Sequence, residues 1–193
     1  VLTTLVTDEL DFPNLSMVGV DDRAAAYTAV DYLIRQGHRK IAVLGGPVTS
    51  YPSLMRRKGA QQAMEDAGIL FNDKLYGLSN YDFESAYHAM NSLLARRAEF
   101  TALFAMSDVI AFGAIRALVS AGLRVPEDVS VIGFDGITMS RYCVPVMTTI
   151  VQPSEQIALQ SIELLVRQIE HGSPAQTVTL QPELQQGESV RAI

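Results

Sequence analysis

A single cysteine, Cys143, stands in the 193-residue sequence, so neither an internal disulfide framework nor a multi-cysteine zinc site can form within it. The three histidines, His38, His88 and His171, make no His-x-x-x-His pair and no His/Cys cluster. No metal site is expected. Basic residues are the minority: 15 Lys+Arg against 21 Asp+Glu, a formal charge of 15 − 21 = −6. That balance argues against a nucleic-acid-binding surface in this segment. Long apolar runs are missing, so no membrane span is expected. The opening VLTTLVTDEL has no basic n-region and no cleavage signal, and reads as the middle of a domain. Glycine and proline together, 13 + 8 = 21, are too few for wholesale disorder. What is present is an ordinary globular composition, 48% apolar and 19% charged, with enough apolar residues for a sizeable core.

Apolar runs alternate with helical patterns, the signature of an α/β fold with parallel sheet. Strands are expected at Leu15–Val20, Lys40–Gly46, Leu75–Leu78, Thr101–Ala105, Val129–Phe134 and Met147–Val151. KIAVLGG is a continuous apolar run, as in a strand buried on both faces. Helices are expected over Arg23–Gln36, Leu54–Ala67, Phe83–Arg97, Asp108–Ala121 and Pro153–Glu170. Gly37, Gly68, Gly122 and Gly172 stop four of them as glycine C-caps. Asp135–Tyr142 reads as loop. The tail reads as two short strands broken at Pro182.

Right-handed crossovers place the C-terminal ends of parallel strands on one edge of the sheet, where ligands bind. The residues to inspect are therefore Gly45–Tyr51, Asn80–Tyr81, Met106–Asp108 and Asp135–Gly136. Those loops carry Tyr81, Ser107, Asp108 and Asp135, and Arg56 lies in the first turns of the helix after KIAVLGG. Carboxylates and a guanidinium make paired hydrogen bonds to adjacent hydroxyls or a polar ring edge. An aromatic face stacks on a sugar or base. The set suits a polar, neutral small molecule. Each position also has a structural explanation. Ser107 and Asp108 fit a helix N-cap. Arg56 belongs to an Arg56-Arg57-Lys58 run of the kind that usually faces water. Asp135 before Gly136 fits turn chemistry. Tyr81 fits a packed edge aromatic, and Cys143 an inert, partly buried thiol.

Enzyme signatures are missing. There is no Gly-x-Gly-x-x-Gly, no P-loop lysine and no Gly-x-Ser-x-Gly elbow. Pro47 after Gly45-Gly46 leaves one backbone N–H fewer for phosphate. No nucleophile has an obvious base, and neither an enzyme nor a bound cofactor is expected.

Several motifs, in order, resemble the effector-binding core of LacI/GalR (lactose-repressor type) transcription regulators. They are Val18-Gly19-Val20-Asp21-Asp22, Gly37-His38-Arg39-Lys40-Ile41-Ala42, Arg56-x-x-Gly59, and Ser107-Asp108 with Ala111, Gly113 and Ala114. The strongest is Pro126-x-Asp128-Val129-Ser130-Val131-Ile132-Gly133-Phe134-Asp135. Pro145-x-x-Thr148-Thr149-Ile150-x-Gln152-Pro153 follows. The resemblance runs from Val18 to Val190.

The resemblance implies an α/β, periplasmic-binding-protein-like two-lobed fold, parallel sheets flanked by helices, with ligand between the lobes. It implies a bacterial cytoplasmic homodimer that reads operator DNA through an N-terminal helix-turn-helix. The effector is expected to be a sugar, sugar phosphate or nucleoside-like molecule. By position, Arg56, Tyr81, Ser107 or Asp108, and Asp135 correspond to ligand contacts: Arg56 and Asp135 bond polar atoms and Tyr81 stacks. Departures exist. The family often has Asn or Gly where Ser107 stands, and an arginine where Gly187 stands. Its Asp-Arg near Thr7-Asp8 is not matched, so neither residue is assigned.

Nothing resembles the DNA-binding headpiece, and the first lobe is expected to be incomplete. Residues 1–22 read as its remnant, 23–150 as the second lobe, 151–176 as a helix returning to the first, and 177–193 as closing strands of the second. Uncovered apolar surface and an unpaired strand edge lead to an expectation of self-association. The rival reading is a periplasmic sugar-binding protein of a transport system, which shares the fold.

Overall fold

A computed structural model describes residues 15–97 and 99–193. The described elements run β1 (Met17–Val20), α1 (Asp22–Arg35), β2 (Ile41–Gly45), α2 (Tyr51–Asp66), β3 (Tyr76–Leu78) and α3 (Phe83–Ala95). They continue with β4 (Ala102–Ala105), α4 (Asp108–Ser120), β5 (Ser130–Asp135), β6 (Thr148–Val151), α5 (Ser154–His171), β7 (Thr177–Leu180) and β8 (Glu183–Gln185). A 3₁₀ turn, Thr138–Arg141, sits in the loop expected after β5. Thr7 and Asp8 lie outside the described residues.

Local chemistry sets the boundaries. Asp21 accepts from the Ala24 N–H at 2.9 Å and opens α1. Asp82 does the same for α3 through Ser85 N at 2.7 Å. Helix α2 begins at Tyr51, three residues before its apolar periodicity becomes visible. Ser50 caps it, and Pro52 falls in the first turn, where a missing N–H costs no helical bond. Gly37, Gly68, Gly122 and Gly172 follow helix ends with positive φ.

Six strands form one sheet in the order β3-β2-β4-β5-β6-β8. Neighbours are parallel except β8, which runs antiparallel to β6. Strands β2 and β4 are buried along their whole length, as their continuous apolar runs require. The path moves one way from β2 to β3 and the other way from β3 to β4. Right-handed crossovers therefore put α2 and α3 on opposite faces. Helix α1 packs on α2, and α3 on α4. At the first of these crossings, a Cβ on Gly59 would lie 2.1 Å from the Arg23 carbonyl oxygen, so only glycine permits this approach. Phe104, Phe134, Leu33, Leu44 and Met90 fill the core.

Strand β1 pairs in parallel with β7 in a separate two-stranded sheet, with α5 packed on β1. The two closing strands, expected together, are thus divided: β8 joins the large sheet and β7 joins β1. The reason is polar. Met17 N donates to Gln176 O at 2.9 Å, and Gln176 N donates to Ser16 Oγ at 3.2 Å. Ser16 Oγ donates to Gln168 Oε1 at 2.9 Å, tying β7 and α5 to the chain before β1. Helix α5 buries only Ser161 and Leu164, and Leu159, Ile162 and Ile169 are 62%, 61% and 74% exposed.

Candidate ligand-binding site

The connections from β2 and β4 leave in opposite directions, so a crevice opens between the carboxyl ends of these neighbouring strands. Arg56 reaches this crevice from α2. It is 6% exposed despite its place in a basic run. Its Nη1 donates to the Met106 carbonyl at 2.5 Å, just past β4. Its Nε donates to Asp22 Oδ1 at 2.7 Å. Its guanidinium carbon lies 3.6 Å from the centroid of the Phe134 ring, a cation–π geometry.

Asp135, the last residue of β5, completes the group. Its Oδ1 lies 3.5 Å from Arg56 Nη1 and accepts from Gln152 Nε2 at 2.7 Å. Burial raises the Asp135 carboxyl above its ordinary range, against the opposing pull of Arg56 and Gln152. Its backbone has φ 110°, a region non-glycine residues rarely occupy. Such strain is held where the surrounding structure fixes a side chain in a required direction.

Tyr81 also has positive φ, 61°. Its ring packs against Gly46, where a Cβ would stand 2.0 Å from Cε2. Its hydroxyl is enclosed without a hydrogen-bond partner among the described residues. A buried polar atom left so is worth about 1–3 kcal/mol to any group that satisfies it. Ser53, in the first turn of α2, donates its Oγ to Gly46 O at 3.1 Å.

Ser107 and Asp108 are held differently. Ser107 is the N-cap of α4, accepting from Ile110 N at 3.1 Å. Asp108 is fully buried. Its oxygens accept from Thr149 Oγ1 at 2.6 Å and Ile137 N at 2.9 Å. It therefore ties α4 to β6 and to the loop after β5. Burial pushes its carboxyl up to about 6, partly offset by those two hydrogen bonds. So the structure joins Arg56 and Asp135, sets Tyr81 on the β2–β3 rim, and engages Ser107 and Asp108 with protein atoms.

Sequence reasoning missed Asp22 and Gln152. Asp22 follows β1 by two residues and Gln152 follows β6 directly. The strand-end rule that points to Asp135 applies equally to the ends of β1 and β6, which carry these two residues. Among the described residues, no group of three or more His, Cys, Asp and Glu is placed to hold a metal ion. No described helix is long and apolar enough to cross a membrane.

The chain is similar to known proteins. The periplasmic binding protein-like domain family matches residues 30–190. The HTH-type transcriptional repressor PurR of Histophilus somni (strain 129Pt) is 35% identical over 181 residues, 93% of this chain and 54% of its own length. A complex of the transcriptional regulator CelR with cellobiose superposes with a TM-score of 0.90 at 32% identity, over 94% of this chain and 56% of that one. A LacI family regulator from Enterococcus faecium with bound ribose gives a TM-score of 0.84 at 28% identity, over 92% and 66%. The chain spans about half the length of the relatives it matches in sequence. These relatives are transcription regulators, which supports that reading over the transport alternative. The chain belongs to the periplasmic binding protein-like family, in the form carried by LacI/GalR-type transcription regulators.

Proposed function

We propose that this chain is the effector-binding core of a bacterial cytoplasmic repressor, and that it binds its ligand without chemical turnover. The observation that carries the site is the pair of buried Arg56 and half-buried Asp135, 3.5 Å apart where β5 ends beside β4. The ligand is a polar small molecule: a sugar, sugar phosphate or nucleoside-like compound. Cellobiose and ribose in the similar regulators support the sugar class. Arg56 and Asp135 bond its polar atoms, and Tyr81 stacks against it. Ser107 and Asp108 shape the floor through their internal bonds.

In this reading β1, α5 and β7 belong to the first lobe, and β2 to β6 with β8 form the second. Ligand shifts the lobes of a homodimer, and that shift biases operator binding by a helix-turn-helix head outside this chain. The coupling is a two-state linkage between distinct sites. The test is calorimetric titration of the chain with cellobiose, ribose, glucose 6-phosphate and adenosine. At least one is expected to bind. Arg56→Ala and Asp135→Ala are each expected to weaken it by roughly 10- to 100-fold, as loss of a buried charged partner does. Unchanged affinity in both variants removes the site assignment, and no binding by any probe removes the reading.

A further inference from the structure

Among the described residues the chain passes between the two sheets three times: from β1 into α1, from β6 into α5, and from β7 into β8. Two of these crossings end on the same string of side chains. Asp22, at the first crossing, holds Arg56 Nε at 2.7 Å. Arg56 faces Asp135 at 3.5 Å. Asp135 holds the second crossing twice, accepting from Gln152 Nε2 at 2.7 Å and, through its carbonyl, from Gln152 N at 3.0 Å. Asp22 and Gln152 are 130 residues apart in sequence, yet only two side chains separate them in space. The Arg56 and Asp22 side chains are 7% and 14% exposed, so water screens their contact little. The third crossing, at Gln181–Pro182, is not on this string.

From this geometry we infer that Asp22–Arg56–Asp135–Gln152 is a clasp that couples the two crossings, with Asp22 and Gln152 as positioning residues. Asp22 fixes the guanidinium and Gln152 fixes the carboxylate. Neither has to touch a ligand to set how the other two are presented. The same string that presents Arg56 and Asp135 therefore holds both hinges between the sheets. A molecule that bonds Arg56 or Asp135 pulls on both crossings together, which gives the proposed effector response a physical route. That last step rests on the proposed function, but the clasp itself does not.

The experiment therefore uses no ligand. Amide hydrogen exchange is followed by mass spectrometry in the chain and in Asp22→Asn and Gln152→Ala. Gln152→Asn serves as the milder variant should Gln152→Ala fold poorly. Each variant is expected to speed exchange about tenfold at both crossings, residues 20–26 and 151–157, while β2 and β4 keep their protection. Faster exchange only at the substituted crossing overturns the clasp. A uniform rise across all strands also overturns it, because that is general destabilisation. Loss of the clasp in this assay leaves the titration result above untouched, so the two failures are distinguishable.

Discussion

Asp108 makes the sharpest quantitative prediction, because its carboxyl is fully buried and pushed up to about 6 from an ordinary 3.8. A folded-state value above the unfolded one means the folded protein binds the proton more tightly. Stability then rises as pH falls from about 6 to about 4, and the gain is absent at neutral pH. A shift of about two units is worth about 3 kcal/mol at 1.36 kcal/mol per unit. The perturbation is Asp108→Asn. The amide keeps both bonds: its oxygen accepts from Ile137 N, and its NH₂ donates to Thr149 Oγ1, whose proton turns toward the Ile150 carbonyl 3.5 Å away. The assay is urea unfolding followed by circular dichroism at pH 4.5, 5.5, 6.5 and 7.5 and constant salt, for both proteins. Titrating groups remote from Asp108 are common to both and cancel in the difference. The natural chain is expected to gain on the variant by about 2 kcal/mol between pH 7.5 and 4.5, the part of the full difference that this pH range reaches. Parallel stability curves refute the reasoning, since they mean that Asp108 titrates alike in the folded and unfolded chains.

Two further outcomes follow from packing and burial. Gly59→Ala pushes a Cβ against the Arg23 carbonyl at 2.1 Å, and backbone cannot swing aside. Thermal melting is expected to show a loss of about 1–3 kcal/mol or more, and an unchanged melting temperature contradicts the tight α1–α2 crossing. His38 is 1% exposed, bonded to Thr101 Oγ1 at 2.9 Å and the Arg191 carbonyl at 3.1 Å, and burial lowers its pKa. The unfolded chain takes its proton first, so stability falls as pH drops below about 6.5. His38→Gln is expected to remove that acid-side loss in the same urea series, and a retained slope places its origin elsewhere.

Much of the fold was legible because its signals are local. Lys40–Gly46 and Thr101–Ala105 are uninterrupted apolar runs, and a strand buried on both faces has no other pattern to show. The start of α2 was less legible, because Pro52 suggests loop unless Ser50 is known to cap the helix. Strand β7 carries no mark of which sheet it joins, and its place depends on Ser16 and Gln176, 160 residues apart. At the site, strand-end geometry and motif single out Arg56 and Asp135 as candidates, but not their mutual distance. The role of Asp108 was hidden because its partner Thr149 lies 41 residues away. A short polar residue at a helix start looks the same whether it caps, binds a ligand or ties two strands together.

The account's central claim is that a small molecule sits in the crevice between β2 and β4, held by Arg56 and Asp135. The most direct test is a crystal structure of the chain with whichever of cellobiose, ribose, glucose 6-phosphate or adenosine binds in the titration. The account predicts ligand polar atoms within hydrogen-bond reach of Arg56 and Asp135, with a ring face against Tyr81. A ligand bound elsewhere, with the Arg56–Asp135 pair untouched, contradicts it.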